Sequence, residues 1–120
     1  MGTKEKMTSI GQPVPELPVA DVDRAQQHYK DALGFEIGWL YPGKEIGSVW
    51  RDRATIFFRK KSPPFEPAVH WIFAEDIDAS YQEFQSLGAN IVEPLEKKPW
   101  GLRQFTVKDV DGNLFYFHHD

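Results

Sequence analysis

The sequence has no cysteine. Disulfides, thiolate catalysis, iron–sulfur clusters and cysteine-held zinc are therefore excluded, and a cytosolic setting is expected. Long apolar runs are missing too. No stretch approaches the roughly 18 residues of a membrane helix, and the N-terminus lacks the apolar core of a signal peptide. Positive charge is in the minority: 14 Lys and Arg stand against 18 Asp and Glu, a net charge of −4. That balance argues against a nucleic-acid partner and leaves room for a neutral or cationic ligand. The glycines are too scattered to cradle a phosphate, and no serine sits in a nucleophile elbow. What the chain does have is 120 residues, 41% of them apolar, with nine Phe, four Tyr and four Trp. That is enough for one domain with its own core.

Residues 1–12 are polar and without period, and read as a disordered leader. Pro13, Pro15 and Pro18 follow. Proline cannot donate to a strand ladder, so this segment is expected at a sheet edge. Asp21–Gly34 reads as a helix: Asp21 caps it, Val22, Ala25, Tyr29, Ala32 and Leu33 share one face, and Gly34 stops it. His28 lies off that face and is expected in solvent. Strands are expected at Phe35–Tyr41, Glu45–Arg51 and Ala54–Lys60, divided by turn residues. After the proline-rich loop Lys61–Pro67 the pattern restarts. A strand at Ala68–Ala74 leads to a helix from Asp76 to Gly88, with Ile77, Tyr81, Phe84 and Leu87 on one face. Strands at Asn90–Val92, Arg103–Lys108 and Asn113–His118 follow, the last two joined by an Asp111-Gly112 turn.

The two helices open alike, Asp-Val-Asp-Arg-Ala at 21–25 and Asp-Ile-Asp-Ala-Ser at 76–80, and both close on Leu-Gly. The chain is thus read as an internal repeat of about 55 residues. The expected fold class is α+β: two βαβββ modules in tandem, about 13–61 and 67–119, forming a cupped mixed sheet with helices on the convex face. Residues 13–120 would make a single domain. A cup lined by inward side chains is a natural place for a small ligand.

These residues resemble the vicinal oxygen chelate superfamily, which includes glyoxalase I, extradiol dioxygenases and bleomycin-resistance proteins. The resemblance rests on Pro18-Val-Ala-Asp-Val-Asp-Arg-Ala with Leu33-Gly34-Phe35, and on Asp109-Val-Asp-Gly-Asn113, which is similar to the family's Asp-Pro-Asp-Gly-Asn hairpin. Lys98-Pro-Trp-Gly-Leu-Arg103 and Val49-Trp-Arg-Asp-Arg-Ala-Thr-Ile-Phe57 are most similar to bleomycin-resistance proteins. The resemblance implies four inward metal-ligand positions, at about Val14, Phe57, His70 and Tyr116. Only His70 is a usual ligand, whereas a divalent centre needs three or four donors. No metal and no other cofactor is therefore expected, in keeping with bleomycin-resistance proteins, which hold their drug unchanged. The competing expectation is a displaced set of Glu16, His70 and His118. It would face the cup and serve a metal-dependent lyase, isomerase or dioxygenase of the same superfamily.

The expected ligand-binding residues are Trp50, Phe57, His70, Trp100, Arg103 and Tyr116, presenting rings for stacking a planar or cationic guest. Trp39, Trp71, Phe73, Phe115 and Phe117 are expected in the sheet–helix core. Arg51, Arg59 and Arg103 are expected first as partners of surface carboxylates. The resemblance also implies a homodimer with two clefts, and leaves open whether the first strand is exchanged about Pro15. Sequestration of a bleomycin-like antibiotic, rather than catalysis, is the expected role.

Overall fold

The structure, a computed structural model, describes residues 8–120; most of the expected leader, residues 1–7, lies outside the described residues. Residues 8–12 are exposed and carry no regular structure. The element order is β1 (Glu16–Val19), α1 (Val22–Leu33), β2 (Glu36–Leu40), β3 (Ile46–Arg51), β4 (Ala54–Lys60), β5 (Val69–Phe73), α2 (Ile77–Ser86), β6 (Ile91–Lys97), β7 (Arg103–Lys108) and β8 (Leu114–His119). The strands form two four-stranded mixed sheets, β1-β4-β3-β2 and β5-β8-β7-β6. In each, the first strand runs parallel to the last and the other pairs are antiparallel. This is the expected α+β repeat.

Local chemistry explains the element ends. The Asp21 carboxylate accepts from the Arg24 amide at 3.1 Å, and Gly34 stops α1 in the left-handed conformation at φ 69°. The same arrangement recurs in α2, where Asp76 accepts from the Ala79 amide at 3.1 Å. Pro15 and Pro18 leave β1 with β4 as its single neighbour, as the missing donors require. The expected strand at 90–92 extends instead through β6 to Lys97, Pro94 included, because β6 is an edge strand whose register shifts twice.

Alternation divides each sheet into a helix-covered face and an open face. Leu17, Val19, Val49, Ile56 and Phe58 of the first sheet are buried on the covered side, as are Phe105, Val107, Phe115 and Phe117 of the second. Tyr29 of α1 joins the two: its ring packs edge-on against Phe58 and Phe115, and its hydroxyl donates to Asp109. Gln26 is a buried polar residue that the helical pattern did not single out. It is satisfied by donating to the carbonyls of Trp39 and Ser48, at 3.0 and 3.1 Å. The close approach of α1 to β3 also needs Gly47, where a Cβ would lie 2.7 Å from Val22 Cγ1.

Candidate functional site

One hairpin sets the relation between the two sheets. Asp109 Oδ1 accepts from the amides of Asp111 and Asn113 at 2.8 and 2.9 Å, closing the β7–β8 turn. Gly112 sits there at φ 89°, a conformation that favours glycine. The fully buried Asn113 amide then reaches both halves. Its Nδ2 donates to the Pro18 carbonyl at 3.0 Å, and its Oδ1 accepts from the Ala68 amide at 2.8 Å. Asp111 Oδ1 accepts from the Ala20 amide at 3.0 Å, and burial pushes this carboxyl upward from its ordinary value. The end of β1 and the start of β5 are thereby pinned to one turn.

Residues of both halves line a cleft of about 940 Å³. Its lining includes Gln12–Pro15, His70–Asp76, Ile56, Phe84 and Phe117. Arg51, also in the lining, links the first sheet to α2. It donates to both carboxylate oxygens of Glu83, at 2.9 and 2.7 Å, and to the Leu33 carbonyl at 2.8 Å. These bonds hold the guanidinium above its ordinary value, although burial opposes them.

The open faces carry the rings. On the second sheet, register pairs Trp71 with Tyr116 and Phe73 with His118. The Trp71 and Tyr116 ring centroids are 4.7 Å apart, and His118 lies 5.7 Å from Trp71 and 5.8 Å from Phe73. Gln104 pairs with His118 on this face, and its Oε1 accepts from Trp100 Nε1 at 3.0 Å, which draws the loop tryptophan to the same side. On the first sheet, Trp50 pairs with Thr55, Ser48 pairs with Phe57, and Trp39 meets Phe57 edge-on at 5.1 Å.

Several expectations are corrected. Phe115 and Phe117 are core, but Trp71 and Phe73 are each 51% exposed and Trp39 is 44% exposed. The cause is alternation: in Val69-His-Trp-Ile-Phe73 it is His70 and Ile72 that point inward, opposite Phe115 and Phe117. His70 therefore lies on the other face from Tyr116 and lines the cleft, where burial pushes its imidazole below the ordinary value. Arg103, by contrast, is the partner of a surface carboxylate, as first expected. It grips Asp78 of α2 through two bonds of 2.9 and 2.8 Å, which hold that carboxyl below its ordinary value. His28 is half-buried rather than solvated, edge-on to Tyr29 with Nε2 enclosed.

The family's metal does not fit these residues. Val14 and His70 line the cleft, while Phe57 and Tyr116 belong to the open faces of different sheets. Nor do Glu16, His70 and His118 assemble. Glu16 is paired with Arg59 at 2.9 Å, His70 and His118 occupy opposite faces, and among the described residues no three His, Asp or Glu cluster as ligands. Among the described residues no helix is long and apolar enough to cross a membrane.

A family model described as the Glyoxalase/Bleomycin resistance protein/Dioxygenase superfamily matches residues 9–117. No curated protein matches the sequence. Among solved structures, TioX from Micromonospora sp. ML1 is 26% identical, with 91% of this chain and 98% of that one covered and a TM-score of 0.77. A bleomycin-binding protein complexed with bleomycin is 21% identical over 92% and 99% of the two chains, with a TM-score of 0.80. A superfamily member from Sphaerobacter thermophilus DSM 20745 is 24% identical over 92% and 98%, with a TM-score of 0.73. The last two likenesses are of fold.

Proposed function

The chain belongs to the Glyoxalase/Bleomycin resistance protein/Dioxygenase superfamily, and from that premise we propose that it is a cytosolic, metal-free binding protein. It holds a flat aromatic or cationic small molecule, such as a bleomycin-like antibiotic, and leaves it unaltered. The observation that carries this reading is the half-exposed ring shelf of Trp71, Tyr116, His118 and Trp100 on the second sheet. Stacking on such rings contributes about 0.5–1.5 kcal/mol per pair beyond area burial, and a desolvated cation over a ring about 2 kcal/mol. The net charge of −4 favours a cationic guest. The bleomycin-binding neighbour, complexed with its drug, lends support from the same fold. With one imidazole at the four inherited ligand positions, no step is assigned to a metal.

The functional unit is a homodimer in this reading. Trp39, Trp50, Trp71 and Phe73 on the open faces are 44%, 47%, 51% and 51% exposed, so these faces lack a cover within one chain. A second copy would lay Trp50 and Phe57 against the shelf carrying Trp100 and Tyr116, enclosing the guest between rings. Titration with bleomycin, followed by tryptophan fluorescence, tests this. Saturable quenching is expected, weakened at least tenfold by Trp100→Ala or Tyr116→Ala. Unchanged affinity in both variants would overturn the site assignment. Sedimentation should give twice the chain mass.

A further inference from the structure

The four edge strands are not equally protected. β1 carries Pro18, β2 carries Gly38 and a register shift, and β6 carries Pro94, Glu93, Glu96 and Lys97 with two shifts. Each is blunted by a device that discourages pairing with another chain. β5, Val69-His-Trp-Ile-Phe73, has no proline, glycine, charge or shift. The main-chain directions follow from two bonds. The Ala68 carbonyl accepts from the Leu114 amide, and the Ala74 amide donates to the His118 carbonyl, at 2.9 Å each. In a regular parallel ladder alternate residues bond one neighbour. Residues 68, 70, 72 and 74 thus serve β8, while the N–H and C=O groups of Val69, Trp71 and Phe73 point away from it.

That free edge borders the cleft, whose lining also includes Pro13 and Pro15, which have no amide hydrogen to offer. Four carboxylates line the cleft (Asp52, Glu75, Asp76, Glu83) against two guanidinium groups; the Arg51–Glu83 pair cancels, which leaves three carboxylates against Arg53.

We propose that the β5 edge is a strand-addition site: it takes the backbone of an extended, uncharged or cationic peptide of about five residues, laid along Val69, Trp71 and Phe73, of which the last two line the cleft. Main-chain bonds supply the affinity in this mode of recognition, and five residues span about 16 Å. The inference rests on the reading of the chain as a binding protein, and extends it from flat rings to a ligand with a peptide backbone.

The test uses the full chain and three peptides with the side chains of acetyl-Val-Thr-Val-Thr-Lys-amide: unmodified, N-methylated at alternate amides, and N-methylated at every amide. Because only one peptide edge is used, the first two should bind within about threefold of each other. The fully methylated peptide should bind at least tenfold more weakly. Val69→Pro removes one outward donor at a strand start, where proline is tolerated. It should weaken the unmodified peptide several-fold and leave bleomycin quenching unchanged. Equal binding of the unmodified and fully methylated peptides, or no saturable binding, overturns strand addition even where bleomycin binds. So does slow hydrogen exchange at Trp71 and Phe73 in the free protein, which would mean that a second copy already covers the edge. Absence of bleomycin binding with the methylation pattern intact would overturn the antibiotic reading alone.

Discussion

The helix of the first half buries six residues, whereas the helix of the second buries two. At the 55-residue offset, Val22 and Ile77 correspond and are both buried, as are Tyr29 and Phe84. The flanking positions differ. Buried Ala25 corresponds to half-buried Ser80, and at the shared Leu-Gly close buried Leu33 corresponds to Leu87, which is 41% exposed. One plan thus gives a helix clamped between its own sheet and Phe115, and another whose near side, at Ala79, Ser80 and Glu83, borders a cleft. Duplicating a module copies its caps and its core stripe. The contacts that decide which copy is clamped and which borders the cleft lie outside the stripe.

The difference is sharpest at the turns. Asn113→Ala in the β7–β8 turn strands the Ala68 amide and the Pro18 carbonyl, at about 1–3 kcal/mol for each unsatisfied group, so a loss of roughly 3–5 kcal/mol in urea denaturation is expected. Arg53→Ala in the two-residue β3–β4 turn should change stability by less than about 0.5 kcal/mol. Similar losses at the two turns would contradict the pinning role of the second. Next comes Tyr29→Phe. It removes the hydroxyl bond to buried Asp109 and should cost about 1–2 kcal/mol by the same measurement.

Much of this asymmetry could not be seen in the residues alone. The helices, their Asp caps and the repeat were legible because capping and a 3.6-residue stripe are local. Trp71 and Phe73 were not: a run such as Val69-His-Trp-Ile-Phe73 is apolar at nearly every position, so it does not declare which face is inside. Pairing with β8, where Tyr116 and His118 alternate with two buried phenylalanines, supplies the missing register. The family resemblance had placed His70 on an inward face with Tyr116, and the same register separates them. The Arg103–Asp78 pair spans 25 residues, and no sequence signal selects Asp78 from 18 carboxylates. The buried role of Gln26 depends on Gly47 letting β3 approach, which becomes visible once the sheet is built.

Smaller effects separate the halves further. Arg51→Ala cuts the link to Glu83 in the cleft lining. The guanidinium is partly exposed, so about 1 kcal/mol at low salt is expected, shrinking in 1 M salt. Loss of that bridge should also speed hydrogen exchange in α2 more than in α1. Smallest is the pH response of His70. Burial lowers its folded value below 6.5, so the unfolded chain binds the proton more readily and stability falls as pH drops through and below 6.5. The melting temperature should decline less between pH 7 and pH 5 in His70→Asn than in the parent. An identical decline would mean that His70 is not the group responsible.

The central claim is that the half-exposed rings hold a guest without changing it and without a metal. Calorimetric titration with bleomycin in excess EDTA, with mass analysis of the recovered drug, addresses it most directly. One drug bound per chain, an affinity indifferent to EDTA and a recovered mass unaltered after prolonged incubation are predicted. Binding abolished by EDTA and restored by a divalent ion, or a drug returned with a changed mass, would contradict it.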